Sequence, residues 1–564
     1  MTYIIGIHNT GIQSSFFSLS KNKLRGIPEE RLSRLKYDKF FPTKNLELFL
    51  DENKINKKDK LKFIIAWNPV LNINEKYRAS ISEWSRHPSE RLYSNINQII
   101  PKLEINLNES SKINLDKNNQ VEVIYLNHHM AHVYNSYYCS GYSESAIFSC
   151  DGYGEKATTF WGIGKGKKIE EIKTTEFPHS LGQLYSTITQ YLGFKPNLDE
   201  WKVMALASYG DYRKYFKNFQ EIIKIKNNGE FELNLNYFDF YNFDKKNYYS
   251  KKFESLFGKS RDKKNKLTKK HFDIAAALQK IIEISVDNSL NYLKKKTKQN
   301  NLCLSGGVFM NSVMNGKIYR SNLFKNVFIP FAPDDSGNSI GAVCWESRDK
   351  KIFSNLSPYQ GSNFADKDIV KILNRNKIKY IKVPDVVNDC SDELSKHKII
   401  CWFQGRSEFG QRALGNRSIL ANPTKKDIKD RVNLSVKFRE NFRPFAASIL
   451  EEFANEYYES PKKIISPYME KVFYIKNHQK SKVPGIVHID GTTRLQTVNI
   501  KQNKIYYSLI KSFYKKTGTP LILNTSFNIN KEPIVENPED ALRNFFSSGA
   551  DILYLGKLKI CKNL

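Results

Sequence analysis

Short apolar runs alternating with stretches of helical spacing constrain this chain more than any other feature of its sequence. Tyr3–Ile7 and Ser15–Leu19 flank the polar turn His8-Asn9-Thr10-Gly11 and read as paired strands. Phe63–Trp67, Val121–Leu126 and Ala146–Cys150 read as further strands. These runs are short and rich in β-branched and aromatic residues, as strands are. Over Phe272–Lys296, by contrast, Ile274, Leu278, Ile281, Ile282, Val286 and Leu290 recur at the spacing of an amphipathic helix. That helix feeds a strand at Leu302–Leu304 and the turn Ser305-Gly306-Gly307. Strands interleaved with helices bury their sheet faces under those helices, so the expected class is α/β. No internal repeat is evident in the residues.

At 564 residues the chain exceeds a single core. The alternation lapses between Asp349 and Phe364, where NLSPYQGSNF has the composition of a connection. This predicts two domains, 1–355 and 356–564. The balance of 89 Lys+Arg against 58 Asp+Glu gives a net charge of +31, which would suit a polyanionic partner. The lysines, however, concentrate at about 214–270, a stretch that reads as a solvated insertion. No helix-turn-helix, RRM or zinc-finger pattern accompanies them, so nucleic acid is not the expected partner. A polyanionic or membrane-associated acceptor stays open. The first residues lack the basic start of a secretion signal, and no apolar run is long enough for a transmembrane segment. Seven scattered cysteines without a CxxC pair suit a reducing cytoplasm. Oligomeric state is not legible.

Asn127-His128-His129-Met130-Ala131-His132 places His128 and His132 four apart, on one face of a helix. Two neutral imidazoles at that spacing suit one metal ion, although capping or core hydrogen bonding would also explain them. Asp151 follows an apolar strand, and Asp335 follows the strand Asn326–Pro330, so either carboxylate could complete the site. Such a donor set suits Fe, Mn or Zn. The turn Gly306-Gly307, with Asn311 shortly after, joins a strand to a helix and would let backbone approach a phosphate, or would serve only as a turn.

The second half is dense in arginine. Gly405–Ser418 carries Arg406, Arg412 and Arg417 among glycines; Lys437, Arg439 and Arg443 follow among aromatics; Arg494 follows a further turn. Asn524 and Ser526 end the strand begun at Leu521–Leu523. Guanidinium forks in this setting, within an otherwise lysine-rich chain, predict a small, highly anionic, phosphate-bearing ligand.

These motifs, in this order, resemble the O-carbamoyltransferases that decorate nodulation factors, aminoglycosides and cephem antibiotics. The likeness also takes in Glu29–Lys36, Asp151–Glu155, Lys202–Ala207, Asp335–Gly337, His488–Arg494 and Glu532–Val535. It implies an actin/hexokinase-like N-terminal domain, similar to tRNA threonylcarbamoyl-transferring proteins, and a YrdC-like α/β C-terminal domain. It implies that ATP and carbamoyl phosphate give carbamoyl-AMP, whose carbamoyl group passes to a hydroxyl acceptor, a small molecule or glycan. By motif, Arg406, Arg412, Arg417, Lys437, Arg439, Arg443, Arg494, Asn524 and Ser526 would form the anion pocket. Gly306, Gly307 and Asn311 would contact nucleotide, and His128, His132, Asp151 and Asp335 would hold a divalent metal. Where the family has a His-Asp pair, this chain has Ile12 and Gln13, neither of which can act as a base. Either another residue such as His8 serves, or the acceptor chemistry differs, or the chain is a catalytically altered, nucleotide-binding regulatory or scaffold protein.

Overall fold

A computed structural model describes residues 1–10, 12–56, 58–68, 71, 110–114, 121–242, 245–439 and 443–562. Gly11 of the first turn, and Glu440, Asn441 and Phe442 beside Arg443, therefore lie outside the described residues. Two compact units emerge. The first comprises Met1–Glu29, Tyr37–Met314 and Leu323–Leu356; the second comprises Glu30–Lys36, Asn315–Asn322 and Ser357–Leu564. The main break thus falls in the Pro/Gly/Ser/Asn connection. The units are nevertheless not contiguous in sequence, because two short earlier segments belong to the second.

In the first unit, β1 (Thr2–His8), β2 (Ser15–Ser20), β3 (Lys23–Pro28), β4 (Lys60–Ile65), β5 (Ser110–Asn114) and β6 (Val121–Leu126) form one sheet, ordered β3-β2-β1-β4-β6-β5. β1 to β3 are an antiparallel meander, while β4 lies parallel to β1 and β6 parallel to β4. The fully buried Ile5 and Ile7 of β1 explain why this strand lies inside the sheet.

The same unit holds a second sheet, of β7 (Glu144–Cys150), β8 (Ala157–Lys165), β9 (Lys168–Glu176), β12 (Asn301–Ser305) and β13 (Asn326–Phe328), ordered β13-β12-β7-β8-β9. Here too an antiparallel meander continues through its first strand into two parallel ones. The strand order is therefore repeated, although the residues show no repeat. The predicted amphipathic helix spans Lys269–Thr297 and buries Ile274, Leu278, Ile281, Ile282, Val286 and Leu290.

The Lys-rich stretch is not simply solvated. Lys251, Lys252, Lys263 and Lys264 are exposed, but β10 (Ile223–Ile225) pairs with β11 (Phe231–Leu233) and Phe219, Phe238, Phe253 and Phe257 are buried. Phe253 and Phe257 stack with ring centroids 4.5 Å apart. Its aromatic residues build a core of their own, which a reading of charge alone misses.

The second unit is built on a nine-stranded mixed sheet of β14 (Ile381–Lys382), β15 (Ile400–Phe403), β16 (Arg417–Ala421), β17 (Ala446–Leu450), β18 (Lys471–Tyr474), β19 (Thr492–Val498), β20 (Leu521–Ser526), β21 (Ile552–Leu555) and β22 (Leu558–Cys561). The order is β14-β22-β21-β15-β16-β20-β17-β19-β18. The helix Lys504–Thr517 packs Tyr506, Leu509, Ile510 and Phe513 against Trp402, Leu420 and Ile522 of the sheet. Among the described residues no helix is long and apolar enough to cross a membrane, and all seven cysteines are free thiols.

Candidate functional site

In the first unit, the helix His128–Cys139 presents His128 and His132 from one face. Its start is held twice. The N-cap Asn127 accepts the Met130 N–H at 3.0 Å, and the buried Glu155 carboxylate accepts the N–H groups of Asn68 at 2.6 Å and His128 at 3.0 Å. Asp151 follows β7 directly, and Asp335 begins the short turn Asp335–Gly337. One ligand atom from each of His128, His132, Asp151 and Asp335 lies within 4.8 Å of all the others. His128 Nε2 is 3.0 Å from Asp151 Oδ2 and 3.2 Å from His132 Nε2. Asp335 Oδ1 is 3.5 Å from His128 Nε2 and 3.4 Å from His132 Nε2.

The electrostatics match that geometry. Burial opposes charge on His132, but its hydrogen bonds to Asp151 and Asp335 prevail and push it up to about 9. Burial likewise opposes ionisation of Asp151, whose bonds to His128 and His132 hold it well below the usual carboxylate range. His129 points away from the cluster. Its Nε2 lies 2.8 Å from Ala157 O, and burial with the two neighbouring imidazoles drives it down to about 3. Two imidazoles and two carboxylates converging at a largely buried point fit a divalent cation, which would balance both acids and replace the shared protons. His8 is fully buried beside this group, its Nε2 3.5 Å from Asp335 Oδ2.

In the second unit, Glu408 organises the arginine loop. Its Oε1 accepts the N–H groups of Leu414 and Asn416, each at 2.7 Å, and of Arg417 at 3.2 Å. Gly405, Gly410 and Gly415 take φ of +45°, +92° and +108°, which the tight loop requires. Arg412, Arg439, Arg443 and Arg494 are all half-buried. Burial, then the charges of Arg412 and Arg439, hold Arg494 well below the usual guanidinium range. Arg439 donates to Asn433 Oδ1 at 2.7 Å and lies over the Phe445 ring. Half-buried guanidiniums that repel one another are poised for an anion.

The family pattern described as Carbamoyltransferase N-terminus matches residues 3–344, and Carbamoyltransferase C-terminus matches residues 391–562. The chain belongs to the carbamoyltransferase family. It is 35% identical to the nodulation protein NolO of Bradyrhizobium diazoefficiens over 447 residues, covering 78% of this chain and 79% of NolO. It is 33% identical over 606 residues to the protein sll1178 of Synechocystis, covering all of this chain and 97% of that one. A crystal structure of HypF from T. kodakarensis aligns with 63% of this chain and 49% of its own, at 12% identity and a TM-score of 0.29.

Within this carbamoyltransferase several expected contacts turn out to be spent on the protein. Arg417 is fully buried, with NH1 donating to the carbonyls of Gln404, Gly405 and Asn416 and NH2 to those of Ser362 and Glu536. It stacks on Phe403 and has no donor left for a ligand, so it is a structural arginine and not a clamp. Lys437 Nζ meets Ser526 O at 2.8 Å, Asn528 O at 2.8 Å and Asn528 Oδ1 at 2.6 Å, which uses its three donors. Ser526 Oγ in turn donates to Asn528 Oδ1. Asn524 is buried and donates to Ala413 O and Ser448 Oγ, holding the arginine loop against the sheet. Arg406 is exposed and donates to Gly361 O.

The glycine turn is also explained internally. Gly307 N–H donates to Asp151 Oδ1 at 2.7 Å, and a Cβ on Gly307 would lie 2.8 Å from that atom. The turn thus positions a carboxylate of the His/Asp centre. Asn311 exchanges amide hydrogen bonds with Gln279 and caps the next helix at Met314 N. Sequence reasoning missed Glu155, Asn338 and Glu408. Asn338 Nδ2 sits 3.2 Å from His132 Nε2. Adjacency to the motif residues was the one available signal, since Glu155 ends Asp151–Glu155 and Asn338 follows Asp335–Gly337.

Proposed function

We propose that this carbamoyltransferase is ATP-dependent. Carbamoyl phosphate and ATP combine in the second unit to give carbamoyl-AMP, consuming a water and releasing phosphate and pyrophosphate. The carbamoyl group then passes, at the His/Asp centre, to a hydroxyl of a small molecule or glycan. The observation that carries this reading is the Arg412–Arg439–Arg494 group, three half-buried guanidiniums whose mutual repulsion a polyanion would relieve. ATP, carbamoyl phosphate, phosphate and pyrophosphate are all such anions.

A divalent ion held by His128, His132, Asp151 and Asp335 would supply Lewis-acid polarisation and charge neutralisation. The protein's own part is to orient those ligands through Glu155 and Gly307, and to exclude water around the buried histidines. His8, beside Asp335, is placed to accept the proton of an acceptor hydroxyl, a role closed to Ile12 and Gln13. The repeated strand order supports an actin/hexokinase-like first unit, while the YrdC-like reading of the second rests on its motifs. The acceptor class rests on the likeness to enzymes that decorate small molecules and glycans, and the thiols suit a cytoplasmic protein.

Incubating the full chain with ATP, carbamoyl phosphate and a divalent metal, without acceptor, tests the reading. Pyrophosphate release with a carbamoyl-AMP mass supports it. No release at any metal loading overturns the ATP-dependent step and favours a regulatory relic.

A further inference from the structure

Glu30–Lys36 is remote in sequence from the arginine cluster, yet it is part of the second unit. Its two arginines differ in what they bind. Arg34 is committed to protein, donating to Ile534 O at 2.7 Å and Pro533 O at 3.0 Å and pairing with Asp540 at 3.2 Å. Arg31 is fully buried and donates NH2 to Gly410 O at 2.7 Å. Among the described residues its Nε and NH1 have no hydrogen-bond partner. A buried guanidinium with idle donors is costly unless something else receives them. At the other end of the segment Lys36 is exposed, and its charge is felt by Lys437 together with those of Arg439 and Arg443.

We propose that Glu30–Lys36 is a working part of the anion site in the second unit. Arg31 fixes Gly410, two residues before Arg412, and offers its remaining N–H groups to the oxyanion of a polyphosphate or acyl phosphate. Lys36 adds an ammonium to the Lys437, Arg439 and Arg443 group. The inference rests on the reading that this unit holds phosphate-bearing substrates. An early stretch of chain would thereby supply binding groups to a site otherwise made of residues beyond 400.

Calorimetric titration of the full chain with pyrophosphate tests this without requiring turnover. Lys36→Ala should weaken binding about tenfold, and Arg31→Ala about a hundredfold, as expected for charge-assisted contacts. Added guanidinium should restore part of the Arg31→Ala loss. Lys39→Ala, which removes the same charge close by in sequence, should leave affinity within about twofold, because Lys36, not Lys39, is among the leading charges acting on Lys437. Should Arg31→Ala fail to fold, Arg31→Lys takes its place and should still bind more weakly. Wild-type affinity in both Lys36→Ala and Arg31→Lys overturns the proposal, as does a wild-type chain that binds no pyrophosphate. A chain that binds pyrophosphate through these residues but makes no carbamoyl-AMP would uphold this inference and sink only the ATP-dependent reading.

Discussion

In the first unit, four ionisable groups of both signs crowd within 4.8 Å of one another; in the second, the charges of Arg412 and Arg439 press on Arg494. The first arrangement is nearly balanced internally, with protons shared between imidazole and carboxylate that a cation can displace. The second sets like charges side by side, an arrangement that an incoming anion would relieve. The two groups, which we read as a cation site and an anion site, are built by different means. The cation site hangs on a helix start, a strand end and a glycine turn. The anion site hangs on a loop wound around the Glu408 carboxylate.

The contrast breaks if either site answers to a change in the other. His132→Ala is expected to have the largest effect, lowering bound metal and carbamoyl transfer by at least about a thousandfold while sparing pyrophosphate release. Metal analysis alongside both assays checks it. Arg412→Ala should cut pyrophosphate release by about a hundredfold or more and leave metal content unchanged. If both variants lost the same partial reaction, the division between the sites would be wrong.

Arg417→Met sharpens the comparison within the second unit. It should destabilise the protein by about 3 kcal/mol or more, because several buried carbonyls lose their donor. Chemical denaturation measures that, and the folded variant should still bind pyrophosphate.

The smallest effect concerns pH. Metal binds only neutral imidazole, and His132 without metal holds its proton up to about 9. Uptake at neutral pH should therefore release a proton. Affinity should fall about tenfold per pH unit as pH drops below that value and level off above it. Calorimetry in buffers of different ionisation enthalpy reads the proton directly. The anion site should show no such proton release.

The His/Asp centre was largely legible because each of its parts is local. Four-residue spacing on a helix and an acid at a strand end are backbone periodicities written in consecutive residues. The arginine cluster was legible only as a group. Arg412 and Arg417 look alike in the sequence, yet one lies beside other cations and the other is spent on carbonyls from Ser362, Gln404 and Glu536. The partners of Asn524 and Lys437 were illegible for the same reason, since they lie on other strands and loops.

Residue order alone thus pointed to the α/β class, the helix Lys269–Thr297, the four residues of the His/Asp group and the family, all of which depend on near neighbours or on motif succession. The folded chain decided the repeated strand order, the aromatic core of the Lys-rich stretch and the crossing of Glu30–Lys36 into the second unit. It also decided which cations remain available to a ligand. Strand pairing and donor satisfaction bring together groups from a few to hundreds of residues apart, and no local pattern records which ones meet.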